Sequence, residues 1–459
     1  MTIVFEGRLT LDAMATHQPH SFMVPAGVRT LKARFTHEPK HPGVGDIPHQ
    51  LSISVYGPNG ARGTRHNNAD QSPIISQDWA SPGYLPGPIE AGDWTVEIDV
   101  HRVLAPGSVA YRIDVEWSDE APCSEAEPAI AAVKGNRRRG PGWYQGDLHG
   151  HTLHSDGGLS VADYLELALE RGHDFVALTD HNTVSGLAEL AARAGERITI
   201  LGGEELTTFH GHALVLGTRE WSEWRVKDGS TMSGLADKIT ADEKLFVIAH
   251  PKAEGHPFCT GCRWAYADVF PGPVRHVEIW NGPWHTNDLR NELAVRLFYR
   301  WLNAGYRMRA TTGTDTHRRR PATDRLAVLM VRAQDNTEAE ILQAIRSGHC
   351  YVTSGPRMEV SAVSESGETC SMGDLMAAGA ATLACSVSRV TNGGGAFRLR
   401  LIHNALEVES WPVAGSAKVE VAFTTKDGDW FVFELRDAAG ELHALTNPVF
   451  IGTEPQTWR

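Results

Sequence analysis

No stretch of this chain approaches the roughly eighteen consecutive apolar residues that a membrane-spanning helix needs. The opening residues, MTIVFEGRLTLDAMAT, lack the basic-then-apolar order of a secretory signal, so cytoplasmic residence is the expectation. Cysteine is scarce: Cys123, Cys259, Cys262, Cys350, Cys370 and Cys385 are scattered and do not resemble a disulfide framework. Positive charge is in deficit, with 43 Lys and Arg against 56 Asp and Glu. A net charge of −13 argues against a nucleic-acid partner, because phosphate backbones are held mainly by surplus Lys and Arg. It leaves room for a small-molecule substrate, even a phosphorylated one, where metal ions supply local positive charge. Internal repeats and low-complexity tracts are also missing. The oligomeric state has no signature in the sequence.

What is present is length and histidine. A chain of 459 residues implies two or three domains, and 22 histidines are many for that length. Residues 1–120 alternate apolar and polar side chains in short runs such as Leu51–Tyr56, Trp94–Val100 and Ala110–Trp117, separated by turn residues. This pattern predicts an N-terminal β-sandwich, with a packing or substrate-gating role. Residues 121–142 read as a linker. From 143 to 355 short apolar runs alternate with helical patterns, as in an α/β barrel or a doubly wound sheet. Ser160–Arg171 has an N-cap Ser and a C-terminal Gly172. Asn291–Ala304 and a segment opening at Thr337 are further predicted helices. Residues 356–459 return to alternating strands and predict a C-terminal β-sandwich.

The chemistry concentrates between the flanks. Asp147-Leu-His-Gly-His-Thr-Leu-His-Ser-Asp-Gly157 packs three imidazoles and two acids into one short run. Thr179-Asp180-His181, the Glu204-Glu205 pair, His250 and Gly313-Thr-Asp315-Thr-His317 follow at distant positions. Each lies just past a predicted strand, where a parallel barrel builds its active site. Imidazole and carboxylate are the usual ligands of Zn, Mn and Fe. A lone acid after a strand is usually a loop residue or a helix cap, but five such strand ends point to a multi-metal hydrolytic site.

These motifs, with Gly203-Glu-Glu-Leu-Thr207, Gly211-His212 and His250-Pro251, resemble the PHP (polymerase and histidinol phosphatase) domain superfamily. Glu278-Ile-Trp-Asn-Gly282 and Ala444-Leu-Thr-Asn-Pro448 add a resemblance to its carbaryl-hydrolase-like (CehA/McbA) metallohydrolases. The resemblance implies a distorted (β/α)7 barrel holding two or three divalent ions. It would place His149, His151, Glu205 and Asp315 on a first metal. Glu205 would bridge to a second metal with His212 and His250. Asp156, His181 and His317 would hold a third, with His154 the alternative to Asp156.

The chemistry expected of such a site is hydrolysis by a metal-activated hydroxide. Asp315 or His212 would steer its proton, and Asp180 would orient a ligand histidine. Arg318, Arg319, Arg320 and Lys252 are candidate anion clamps, and Trp280 and Asn281 candidate pocket walls. The Cys259-x-x-Cys262 pair reads as loop structure, with half a zinc site or a redox pair as alternatives. Two enzymatic readings follow: a phosphoesterase, and a carboxylester or carbamate hydrolase. A non-catalytic binding scaffold is the third.

Overall fold

The structure is a computed structural model that describes residues 2–42, 47–69, 71–104, 107–121, 135, 137–227, 229–267, 274–391 and 396–454. Most of the expected linker, with Cys123, lies outside these residues. At the N-terminus two four-stranded antiparallel sheets enclose one apolar core. One sheet holds Thr2–Leu9, Val109–Ser118, Thr30–Glu38 and Ile74–Ser76; the other holds Thr16–Val24, Gly92–Arg102, Gln50–Gly57 and Gly60–Arg65. Alternation explains the core: Phe22, Val24, Ile53, Trp94, Val96 and Ile98 all point inward and are buried.

The central segment departs from simple βα repetition. Its strands fall into two sheets. Gly203–Thr207, His212–Leu216, Leu245–Ile248, His276–Asn281 and Arg309–Gly313 form a five-stranded sheet in that order. Its first two pairings are antiparallel and its last two parallel. Gly142–Asp147, Phe175–Ala177 and Thr199–Leu201 pair in parallel in a second, larger sheet. Two isolated bridges link the sheets, Gly150 to Thr316 and His181 to Glu205. A single apolar core runs beneath both, from Leu148 and Phe175 to Leu214, Val247 and Ile279.

The second sheet does not stop at the expected boundary near residue 355. Val328–Ala333 lies antiparallel to Gly142–Asp147, Cys350–Thr353 follows it, and Leu442–Thr446 pairs with Cys350–Thr353. Strands from the C-terminal segment thus extend a sheet that begins at the functional site. Asn447 reinforces the join: its Oδ1 accepts from the Ala310 amide at 2.7 Å, and its Nδ2 donates to the Cys350 carbonyl at 2.8 Å. The remaining C-terminal strands include a separate four-stranded antiparallel sheet.

The helices follow their caps. Val161–Glu170 starts where the Ser160 hydroxyl accepts from the Asp163 amide, and the left-handed Gly172 follows its end. Glu338–Ser347 is capped by Thr337 and stopped by the left-handed Gly348. The helix expected from Asn291 begins earlier, at Trp284, directly after Pro283, with a kink at Asn287. Proline at that boundary needs no amide bond, which favours the earlier start.

Candidate metal centre

Strands and the turns that follow them deliver nine side chains to one place; Glu205 lies inside Gly203–Thr207, and not past a strand end as expected, and His212 opens His212–Leu216. Four overlapping groups have ligand atoms within 4.8 Å of one another. They are His151, Asp156, His181 and His317; His149, His151 and Asp315; His149, Glu205 and His250; and His181, Glu205 and His212. Glu205 is the hub. Its Oε1 lies 3.0 Å from His250 Nε2 and 3.1 Å from His212 Nδ1. Its Oε2 lies 2.9 Å from His181 Nδ1 and 3.2 Å from His149 Nε2. Strand alternation decides between the adjacent glutamates. Glu204 points to the other face of Gly203–Thr207 and accepts from the Ser222 amide at 2.8 Å. Burial pushes the Glu204 carboxyl up to about 8, against the pull of that amide.

The other acids face outward of this hub. Asp315 Oδ1 is 3.1 Å from His151 Nε2 and 3.4 Å from His317 Nδ1. Asp156 Oδ1 is 3.1 Å from His317 Nε2 and 3.4 Å from His181 Nε2. His154 turns away from the cluster, toward the Ser185 hydroxyl at 2.7 Å. The side chains of Asp156, Asp315 and His317 keep 33%, 24% and 35% of their surface, whereas His149, His151 and Glu205 keep none. The cluster therefore opens on the Asp156–Asp315–His317 side.

The donor set fits divalent cations on two observations. Nδ1 of His151 and Nε2 of His212 are buried without a hydrogen-bond partner, and Nε2 of His149 and of His151 face only carboxylate oxygens of the cluster, at 3.1–3.6 Å. Such atoms are costly to bury unless something coordinates them. Burial also opposes ionisation of Glu205, yet His149, His181 and His212 outweigh it and hold its carboxyl well below the usual range. The same balance, led by His149, holds Asp315 low. The pocket is thus built to keep carboxylates charged among imidazoles.

Backbone strain gathers here too. His250 and Asp315 take positive φ values of 26° and 51°, as does Asn182 beside His181, at 53°. Gly313 is required by space: a Cβ there would lie 2.2 Å from His149 Cβ and 2.4 Å from Glu278 Oε1.

Several supporting residues escaped sequence reasoning. Glu278 Oε1 sits 2.9 Å from His149 Nδ1, and its Oε2 accepts from the His250 amide at 2.9 Å. Thr207 Oγ1 is hydrogen-bonded to His181 Nδ1. Asp147 accepts from the amides of His149 and Thr314 at 3.2 and 2.9 Å. The N-terminal sheets contribute His66, whose ring centroid lies 4.8 Å from that of His181. Arg65 and Asn67 donate to the Ser155 carbonyl beside Asp156. Glu278, Asp147 and Thr207 carried a signal, as members of motif runs; the N-terminal contacts depend on docking that no local pattern encodes.

The remaining candidates fall in varied places. Asp180 does not orient a ligand imidazole. It accepts from the amide and hydroxyl of Thr152 and from the Ser155 hydroxyl, at 2.6–2.8 Å, and so fixes the loop before Asp156. Arg319 is turned toward Glu170 at 2.6 Å, both half exposed. Arg318 is exposed; Arg320 is half-buried, with its Nε unpartnered. Lys252 is half-buried and bridges by backbone to Arg263. Trp280 is fully buried, donates to the Gly282 carbonyl and packs on Trp284, so it is core and not pocket wall. Asn281 donates to Glu278 Oε2 at 3.1 Å and stands behind the cluster. Cys259 and Cys262 are joined as a disulfide, contrary to the reading of plain loop structure. The Cys262 carbonyl lies 3.1 Å from His250 Nδ1. A smaller group, His17, Glu97 and Asp99, lies in the N-terminal sheets, but Arg225 and Lys227 already neutralise Glu97.

Residues 147–252 match the PHP domain. The PHP segment thus takes in His149 through His250 but not Asp315 or His317. The chain is 41% identical over 70 residues to a 3',5'-nucleoside bisphosphate phosphatase of Chromobacterium violaceum, covering 15% of this chain and 25% of that protein. It is 37% identical over 82 residues to a phosphoribosyl 1,2-cyclic phosphate 1,2-diphosphodiesterase of Eggerthella lenta, covering 16% and 31%. The chain therefore spans about a quarter to a third of the length of these curated relatives. Among solved structures, a two-domain protein containing a predicted PHP-like metal-dependent phosphoesterase from Bacteroides vulgatus aligns at 16% identity. That alignment covers 70% of this chain and all of the other, with a TM-score of 0.41. An amidohydrolase from Chromobacterium violaceum aligns over 39% of this chain and 89% of its own at 19% identity, with a TM-score of 0.29.

Proposed function

We propose that the chain is a metal-dependent phosphoesterase that hydrolyses small-molecule phosphate esters. The observation that carries this reading is the convergence of nine chelating side chains around Glu205, with buried ligand atoms left unpartnered. The phosphatase and diphosphodiesterase named among the relatives favour phosphoesters as the substrate class. We read the two linked central sheets as the distorted seven-stranded barrel that the PHP resemblance implies, and the flanking sheets as β-sandwiches.

His149, His151, Glu205 and Asp315 would hold one cation; Glu205, His212 and His250 a second; and Asp156, His181 and His317 a third. When bound, such cations lower the pKa of water and polarise a phosphoryl oxygen. Asp315 lies at the open side between His151 and His317 and is the group placed to hold the proton of the attacking water. His212, with Nε2 unpartnered, is the second candidate for that role. Asp180 acts at one remove, by fixing Thr152 and Ser155. Arg318 and Arg320 remain candidates to orient the substrate anion, whereas Arg319 is committed to Glu170. Burial of Trp280 and Trp284 removes much of the aromatic wall that a carbamate substrate would use.

Turnover of p-nitrophenyl phosphate, bis-p-nitrophenyl phosphate and a naphthyl carbamate, alongside metal analysis, tests the reading. Phosphoester turnover that is lost on chelation and in His151→Asn is expected. Turnover of the carbamate alone would overturn it.

A further inference from the structure

Leu245–Ile248 and Arg309–Gly313 are followed by His250 and Asp315 at the ends that meet the metal centre, and His276–Asn281 between them carries Glu278 in mid-strand. Their opposite ends border another cavity, of about 530 Å3. At a rise of ~3.3 Å per residue, Arg309 and Asp315 stand about 20 Å apart along the chain, so the two sites occupy opposite faces. Among the described residues the charged side chains lining this cavity are Lys244, Arg275, Arg309, Arg346, Asp237 and Glu454. Cations thus outnumber acids there, in a chain whose net charge is −13.

The cavity already grips a carboxylate. Glu454 lies 2.6 Å from Arg275 Nη1 and 3.0 Å from Arg307 Nη1. One carboxylate leaves the basic cluster under-neutralised. Among the described residues Lys244 forms one ion pair, with the exposed Asp242 at 3.8 Å, and acts on Glu204 electrostatically. Arg346 donates to the Glu243 carbonyl and to Gln343. Arg309 is 5% exposed and donates Nη1 to the Arg307 carbonyl at 3.0 Å, but its Nε is buried without a partner. Burial, with Arg307 and Arg275 nearby, pulls its guanidinium down to about 9. A buried cation with an unmade hydrogen bond is costly, and beside a basic cavity an anion would offset that cost. Guanidinium forks suit the several oxygens of a phosphate.

We propose that this cavity binds a small phosphorylated molecule through Arg275, Arg309, Arg346 and Lys244, in competition with the Glu454 carboxylate. The site stands apart from the metal centre, so it does not depend on the phosphoesterase reading.

Calorimetric titration of the metal-loaded full chain with inorganic phosphate tests it, in the natural protein, in K244Q/R346Q and in E454Q. Thermal melts without phosphate establish that each variant is folded, and these partly exposed positions are chosen over the buried Arg309 for that reason. Expected is a phosphate site that K244Q/R346Q weakens about tenfold or more and that E454Q tightens several-fold. Both variants keep the natural turnover, because neither reaches the metal cluster. Phosphate binding unchanged in both variants would place all of it at the metal centre and overturn the proposal. So would the lack of detectable binding at millimolar phosphate in both the natural protein and E454Q.

Discussion

Glu278 stands behind two histidines of the cluster, His149 and His250, and touches both through different atoms. Its Oε1 lies 2.9 Å from His149 Nδ1, placed to receive Nδ1–H and so to leave Nε2, which faces Glu205, for a cation. Its Oε2 receives the amide of His250, a residue held at a strained positive φ. Outer carboxylates of this kind fix the tautomer and aim of a ligand imidazole. Glu278→Gln keeps the volume but removes the charge that favours the Nδ1–H form. We expect metal affinity and kcat/KM to fall roughly 10- to 100-fold. Chelator titration with metal readout, beside steady-state kinetics, measures both; normal metal retention in the variant would show that Glu278 only packs.

At the scale of elements, the loop after Leu245–Ile248 couples the disulfide to the metal centre. Gly261, between Cys259 and Cys262, has φ +79°, and a Cβ there would fall 1.9 Å from the Thr208 carbonyl oxygen. The loop is thus pressed against the turn that precedes His212. Its Cys262 carbonyl accepts from His250 Nδ1. Arg102 of the N-terminal sheets donates to the Pro257 and Phe258 carbonyls, so the loop is held from outside as well. Reduction with a dithiol, or the pair C259S and C262S, frees the chain around this acceptor. The expected outcome is metal release at about tenfold lower chelator concentration. An unchanged chelator curve in the reduced protein would separate the disulfide from the centre.

Elements also mark what could be read in advance. The convergence of the His and acid motifs was legible because βα folds gather residues that follow strands on one rim, and Asp147 to Gly157 keeps several of them contiguous. Helix caps were legible because Ser160, Thr337 and Gly348 act within one turn of the chain. The antiparallel hairpin at Gly203–Thr207 and His212–Leu216 was not, because apolar runs read alike in either direction. His66 and Arg102 were invisible as site residues for another reason. Their roles arise only when the N-terminal sheets dock on loops roughly a hundred or more positions away in sequence.

For the whole molecule, acid stability follows from histidines buried as neutral rings. His173 is buried, and burial brings its pKa down to about 4 from the ordinary 6.5. Its folded value is depressed, so its neutral form contributes fully above 6.5 and that contribution is lost as pH falls toward about 4. At pH 5 the loss amounts to about 2 kcal/mol. His173→Gln lacks this proton uptake. Urea unfolding should therefore find the stability gap between natural protein and variant narrower by that amount at pH 5 than at pH 7. A gap independent of pH would count against a depressed His173.

The two central sheets meet beside the histidine cluster through single bridges, Gly150 to Thr316 and His181 to Glu205. His149, His151, Asp156 and His181 follow strands of one sheet; Glu205, His212, His250, Asp315 and His317 belong to the other. Cations gathered by both groups would act as rivets across a seam. Stripping them should let the seam breathe while each ladder stays intact. Hydrogen exchange should then quicken at the His151 and Glu205 amides, which cross the seam to Thr316 and Asp180, and stay slow within Leu245–Ile248.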